Sequence, residues 1–476
     1  MGINPFPTQF ALSHHAEPLK VAYADLTVEE HTDDEVSVAG RIMQKRVMGK
    51  ASFFQLQDRT GRMQCYITRE QVGEEAYGLF KKLDMGDIVG VHGVIFKTKT
   101  GEVTVDVRSI ALLTKSLADL PEKWHGLKDL EIRYRKRFTD LVANREVFDL
   151  FLLRTKFMNV LRRFLVDNEF LEVETPILEM VPGGAEARPF ITHHNTLDID
   201  LYLRISLELH LKRLMVGGYE RVFEMGKVFR NEGMSIQHLQ EFTLLEFYFG
   251  YINYETLMQF VQEMYQYAIK ETFGTLQITY GEHVLDFSGS WPTIDYVSIV
   301  KEKTSIDILV HDTKETLAKA IADAGLSIEV EPNAGRGRMI DQLYKKYVRP
   351  SLVQPCFLVN HPVVISPLAK RRTDNPELTE RFQVLFVGAE VGNGFSELND
   401  PLDQRARFEE QAKLRDAGDE EAQMLDENFL EALEIGMPPT AGFGVGIDRF
   451  FMILANQPSI RDVVLFPLMK PEDEQQ

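Results

Sequence analysis

The sequence predicts an α+β protein in two domains: a small β-barrel and, after a linker, a larger domain that mixes strands with helices. Three observations carry this. From Glu35 apolar and polar residues alternate with a period of two, the pattern of half-buried strands. At Phe148 the apolar spacing becomes that of a helix. Beyond Phe170 strand-like and helical runs alternate to the C-terminus. At 476 residues the chain has room for two or three domains.

Residues 1–30 read as a mixed lead-in with little regular structure. The runs VSVAGRIM from Val36, SFFQLQD from Ser52 and RMQCYIT from Arg62 follow, with Thr60 and Gly61 turning between the last two. Two more runs, IVGVHGVIF from Ile88 and EVTVDVRSI from Glu102, are joined across Lys97–Gly101, and Gln71–Leu83 is helical in pattern. Five short strands with one helix predict an OB-fold barrel over residues 1–116. Residues 117–145 are expected to be a linker, on the composition of Leu117–Lys128. The larger domain is expected over 146–476. Phe148, Phe151, Leu152, Met158, Leu161 and Leu165 mark its first helix. Pro176 then ends a short strand in FLEVETPIL. The block from about 295 to 347 is helical and charged, an insertion with no role that sequence assigns.

Composition narrows the class. Apolar residues make up 44% and no run of apolar residues is long enough to cross a bilayer, so no membrane partner is expected. The opening MGINPFPTQF lacks the regions of a secretory signal, and Phe6 breaks the myristoylation pattern. The two cysteines, Cys65 and Cys356, match no zinc spacing. A cytoplasmic protein with reduced cysteines is the expectation. The net charge of −19 argues against non-specific binding of DNA, although local basic patches still permit a specific RNA partner. Two such patches exist, Arg41 to Lys50 and Arg133 to Arg137; either is a solvated face or a phosphate contact.

No P-loop, Rossmann fingerprint or kinase glycine loop occurs in the sequence. Two distant segments instead each offer an arginine to a triphosphate. They are RVFEMGKVFRNEGMSIQHLQEFTLLEFYFG (Arg221–Gly250), with Arg230, and AGFGVGIDRF (Ala441–Phe450), with Arg449. FLEVETP (Phe170–Pro176), VFRNEG with EFTLLEFY (Val228–Tyr248), and GFGVGIDRFFM followed by IRDVVLFP (Gly442–Pro467) resemble the three signature motifs of class II aminoacyl-tRNA synthetases. PGGAEARPFITHHNTLDIDLYLRISLELHLKRL (Pro182–Leu214) and GNGFSELNDPLDQ (Gly392–Gln404) resemble the bacterial lysyl-tRNA synthetases within that class, rather than the aspartate or asparagine enzymes. The resemblance runs from about Glu35 to Pro467.

That resemblance implies a central antiparallel sheet flanked by helices, a homodimer, and three substrates: L-lysine, ATP and lysine tRNA. It implies that Glu246 and Glu397 hold the ε-ammonium of lysine, with Tyr248 and Asn393 completing the hydrogen bonds and Phe395 lining the stem. Glu208 would take the α-ammonium, and Gly184 would let the backbone approach. Arg230 would bind the lysine carboxylate and the α-phosphate; its planar fork suits both. Arg449 would clamp the γ-phosphate and cover one face of adenine, with Phe242 on the other; Glu232 and His238 would line the nucleotide. Mg²⁺ would be held by Glu390 and by Gln383, where the family normally has glutamate. A second departure is Gln237, where the family usually has arginine. On the barrel, Phe53 resembles a base-stacking residue, and Gln64 and Glu102 resemble the readers of the anticodon's central uridine. Lys45, Arg46 and Lys97 are candidates for phosphate contacts.

Independently of family, carboxylates in apolar runs such as TLLEFYF and GNGFSELND need a cation, because a buried charge left alone is costly. Two other readings remain open at this stage. One is a lysine ligase acting on a protein, a paralogue type that resembles only the catalytic half and carries alanine at the position of Gly444. The other is a catalytically weak RNA-binding protein on the same fold, to which Gln383 and Gln237 lend support.

Overall fold

The computed structural model describes residues 4–120, 129–329, 334–419 and 421–471. The chain folds as two units, 1–129 and 130–476. The part of the expected linker at 121–128 lies outside the described residues.

In the first unit five strands close a barrel in the order His31–Met48, Ala51–Gln57, Arg62–Thr68, Val103–Thr114, Ile88–Lys97. The period-two pattern puts Phe54, Leu56, Met63, Cys65 and Ile67 in the core. The helix Arg69–Lys82 is capped by Thr68, whose side chain accepts from the Gln71 N–H. The lead-in departs from expectation. Residues Ala16–Ala22 form a helix that adds Ala16 and Leu19 to the barrel core. Its first N–H groups are taken by a turn, with Ala16 N donating to Asp58 Oδ2 at 2.8 Å and Glu17 N to Thr60 Oγ1 at 3.0 Å. The capping partners are more than forty residues away in sequence, so local reading misses them.

The second unit is built on an eight-stranded sheet. Its order is Thr293–Asp295, Cys356–Val359, Arg381–Phe386, Ala389–Ser396, Thr440–Gly446, Glu241–Gly250, Arg221–Phe229, Leu171–Glu172. The six inner strands pair antiparallel. The outermost pair at each end is parallel, so the expected antiparallel sheet is the central part of a mixed one. Parallel neighbours need a long crossover. The charged insertion supplies one of them, running from Thr293–Asp295 through helices Tyr296–Thr304, Lys314–Asp323 and Arg336–Tyr347 to Cys356–Val359. Those helices share their own core around Leu317, Ile340 and Leu358.

Alternation along Glu241–Gly250 serves both faces of the sheet. Leu245 and Phe247 face a core with the long helices Arg145–Asp167 and Tyr254–Phe273, whereas Leu244 and Tyr248 face the helices Glu208–Val216 and Glu427–Ile435. The site lies on the second face.

Residues 130–143, expected as linker, form two short helices, Leu130–Arg135 and Arg137–Ala143. Their basic run holds the fold together. Arg137 is 1% exposed, bonds Asp140 at 2.6 Å and donates to the carbonyls of Leu465 and Arg461. The barrel patch is also committed in part: Lys45 donates to the carbonyls of Phe80, Lys81 and Leu83 at the end of a helix, and Lys97 to those of Ala24 and Leu26. These ammonium groups cap backbone rather than wait for phosphate. Both cysteines are buried free thiols, Cys65 in the barrel core and Cys356 in the core under the insertion.

Candidate active site and nucleic-acid interface

Two rungs cross the sheet in register. One runs Glu246, Gly444, Asn393, Gln383; the next runs Tyr248, Gly442, Phe395, Arg381. Because side chains two apart share a face, every named group points to the same side. The glycine in each rung leaves a hole at its centre. A Cβ at Gly442 would lie 2.2 Å from Glu397 Oε1, and one at Gly444 would lie 3.3 Å from Glu246 Cγ. Every residue expected at the lysine, ATP and metal positions lines the resulting cavity of about 520 Å³.

One end is acidic. Glu246 Oε1 accepts from Ser206 Oγ at 2.8 Å and from the Leu207 N–H at 3.2 Å, and Tyr248 donates to its Oε2 at 3.2 Å. These neutral donors do not offset its loss of water. Burial first, then the Glu208 charge, push its carboxyl up to about 7. Glu208 begins the helix Glu208–Val216. Gly184 packs against it in a left-handed conformation at φ +84°, and a Cβ there would lie 2.9 Å from Glu208 Cβ. Sequence reasoning missed Lys212. This side chain is fully buried, with Nζ 2.5 Å from Glu208 Oε1 and 2.5 Å from Glu397 Oε2. Apart from that ammonium, no donor among the described residues reaches either oxygen of Glu397. Asn393 Oδ1 accepts from Arg381 Nε at 2.8 Å, and the Phe395 ring lies 5.3 Å from the Lys212 ammonium.

The other end is basic. Arg230 leaves the Arg221–Phe229 strand, donates through Nε to Ile205 O at 3.3 Å and stacks its guanidinium 5.2 Å from the Phe242 ring centre. Arg449 is carried by the helix Ile447–Leu454, whose Asp448 is pinned by Arg154 and by the Thr243 N–H. Arg449 donates to the carbonyls of Glu390 and Gln237, and its Nε is buried with no acceptor among the described residues. At Gln237, therefore, the backbone oxygen holds the arginine. Partial burial and then the charges of Arg449, Arg349, Lys345 and Arg230 push His238 down to about 4, so its ring is neutral near pH 7. Glu232 accepts from the Gln240 amide through its backbone carbonyl.

Gln383 Nε2 donates to Glu390 Oε2 at 2.9 Å, and its amide also faces the buried His361 ring. An amide oxygen beside a carboxylate is a donor pair of the kind a hard cation takes. Among the described residues no group of three or more His, Cys, Asp or Glu could hold a metal by itself. The insertion also reaches the cavity, through Tyr296, Arg338, Asp341, Tyr344 and Lys345. Their charges at helical spacing, Arg338, Asp341 and Lys345, are the sequence signal that could have placed them here.

The barrel carries its own candidate surface. Phe53 is half-buried, its ring 4.8 Å from Tyr66; Tyr66 meets Phe96 at 5.9 Å, and Phe96 stacks on His31 at 4.8 Å. Gln64 donates to Thr104 Oγ1 at 3.0 Å, and Glu102 lies 3.8 Å from the Lys20 ammonium. An aromatic row beside polar edge groups is what unpaired bases require.

The profile of the family described as tRNA synthetases class II (D, K and N) matches residues 129–470, and that of the OB-fold nucleic acid binding domain matches 36–113. The chain is 50% identical over 473 residues to a lysine–tRNA ligase of Moorella thermoacetica, covering 99% of this chain and 95% of that protein. It is 49% identical to one of Halalkalibacterium halodurans over 474 residues, 99% of this chain and 94% of that protein. It is 51% identical to one of Thermoanaerobacter pseudethanolicus over 475 residues, 100% of this chain and 94% of that protein. The chain belongs to the class II tRNA synthetases and, within them, to the lysine–tRNA ligase family.

Proposed function

We propose that this chain activates L-lysine with ATP to lysyl-adenylate, releasing pyrophosphate, and then transfers the lysyl group to the 3′ end of lysine tRNA. The observation that carries this reading is one cavity with three buried carboxylates at one end and two arginines at the other. A zwitterion with a cationic tail fits the first, and a polyphosphate fits the second. Family membership supports the same chemistry.

In the first step a carboxylate oxygen of lysine attacks the α-phosphorus, and the bond to the bridging oxygen breaks as pyrophosphate departs. Glu208, Glu246 and Glu397 would fix the two ammonium groups, and Tyr248 would keep Glu246 aimed. Arg230 would neutralise the two anions that must approach each other, and Arg449 would take the leaving phosphates. Positioning and fixed charge supply the rate. In the second step the terminal ribose hydroxyl attacks the lysyl carbonyl, and AMP leaves. Mg²⁺ would be held by Glu390 and the amide oxygen of Gln383, with phosphate and water supplying the other ligands; when bound it supplies positive charge to the phosphates.

Phe53, Gln64 and Glu102 would read the anticodon on the barrel. A homodimer is proposed through the edge strand Leu171–Glu172 and the segment after it, where Leu171, Leu178 and Met180 are exposed. The cytoplasm is the compartment this reading implies. Among the described residues no helix is long and apolar enough to cross a membrane.

The test is amino-acid-dependent ATP–pyrophosphate exchange with each of the twenty amino acids and Mg²⁺. Exchange with lysine alone is the expected result. A folded protein that binds lysine tRNA but gives no exchange would overturn the reading in favour of a non-catalytic RNA-binding protein.

A further inference from the structure

The acidic end of the cavity holds three carboxylates and one ammonium that no substrate provides. Glu208, Glu246 and Glu397 come from three different segments, yet they are close enough that Glu208 raises the proton affinity of Glu246, and both raise that of Glu397. Their neutral partners are few. Glu246 takes Ser206, the Leu207 N–H and Tyr248; Glu208 and Glu397 share Lys212. Other charge nearby comes from Arg381, which acts on Glu208, and from Arg230, which acts on Glu246. Phe395 and Phe429 lie 5.3 and 5.9 Å from the Lys212 ammonium and shut it from water.

We propose that Lys212 is a resident counter-ion that sets the charge this pocket presents, and so determines its selectivity for a substrate with two ammonium groups. Among the described residues Lys212 is the one ammonium in ion-pair contact with these carboxylates, so it balances one of the three and leaves Glu246 and one further carboxylate without a contacting cation. A diammonium amino acid matches both. An amino acid with one ammonium leaves a carboxylate bare in an enclosed site, and that cost is the basis of rejection. Without Lys212 the pocket would hold one carboxylate too many even for lysine, and one carboxyl would take a proton instead of a substrate cation. Lys212 is a positioning residue: it acts through Glu208 and Glu397, not on the reacting atoms. The selectivity claim rests on the lysine site proposed above; the charge-balance claim does not, because it concerns the substrate-free protein.

The experiment compares wild type, Lys212→Met, and the charge-balanced double variant Lys212→Met with Glu397→Gln. The first readout is the thermal midpoint of the substrate-free full chain from pH 5 to 8. Loss of the ammonium raises the folded-state proton affinity of Glu208 and Glu397, so stability falls as pH rises. The gap between wild type and Lys212→Met is therefore expected to widen with pH, and the double variant is expected to close most of it, because removing both partners leaves no bare charge. The second readout is the exchange reaction: Lys212→Met raises the KM for lysine roughly 30-fold or more, with the KM for ATP nearly unmoved. A single variant that does not fold beside a double variant that does also supports the proposal. A gap independent of pH, an unchanged KM for lysine, or failure of both variants to fold overturns it. If wild type shows no lysine-dependent exchange, the lysine reading fails, and the pH dependence of the gap still decides whether Lys212 balances the acids.

Discussion

Glu246 titrates in the physiological range, and this has a sign that can be checked. Its carboxyl must be ionised to hold an ammonium, and burial holds its folded value at about 7. The KM for lysine should therefore fall as pH rises from 6 to 8, and Glu246→Gln should flatten that slope while raising KM throughout. Stability runs the other way: a carboxyl raised from 4.5 to about 7 by folding contributes fully below pH 4.5, and that contribution is lost as pH rises through about 7. Glu397→Gln should weaken lysine roughly 30-fold while sparing ATP, measured by calorimetry with each ligand; equal loss of both would mark Glu397 as structural. At this scale the sequence was readable where type and context agreed, as for glutamates within apolar runs. Lys212 was hidden because its spacing four residues after Glu208 is also that of an ordinary surface ion pair. Only the tertiary approach of Glu397 tells the two apart.

Strands explain what the residues cannot. The two rungs place glutamate, asparagine, tyrosine and glutamine across four strands, and a glycine empties the middle of each. Gly444→Ala would push a methyl to 3.3 Å from Glu246 Cγ, so the expected result is a KM for lysine raised ~10-fold at a cost of about 1–3 kcal/mol, with the KM for ATP little changed. The strand pattern was legible from period-two runs. The direction of the outer strands was not, because that depends on the helices that carry the chain across. The lead-in helix was missed for a related reason: its caps belong to a turn more than forty residues away. Basic runs deceived for the opposite reason. Arginines and lysines that looked available, such as Arg137 and Lys45, are consumed by carbonyl oxygens within the fold.

The whole molecule divides its tasks between two units. Phe53→Ala on the barrel should raise the KM for tRNA in aminoacylation ~10-fold, through loss of one stacked base, while lysine-dependent exchange, which needs no tRNA, continues. The two-domain plan was visible in the sequence as a change of period between Glu35 and Phe148. The insertion's reach into the cavity was not, since helical spacing shows a face but not what it meets. The cysteines give this division a practical use. Each unit carries one thiol sealed in its own core, and burial pushes the Cys356 thiol up to about 12 and that of Cys65 higher still. Neither can react until its surroundings open. A thiol-reactive dye followed by peptide mapping thus becomes a pair of independent clocks, Cys65 timing the opening of the barrel and Cys356 that of the catalytic unit. Adding lysine and ATP should slow the second clock and leave the first running at its own rate.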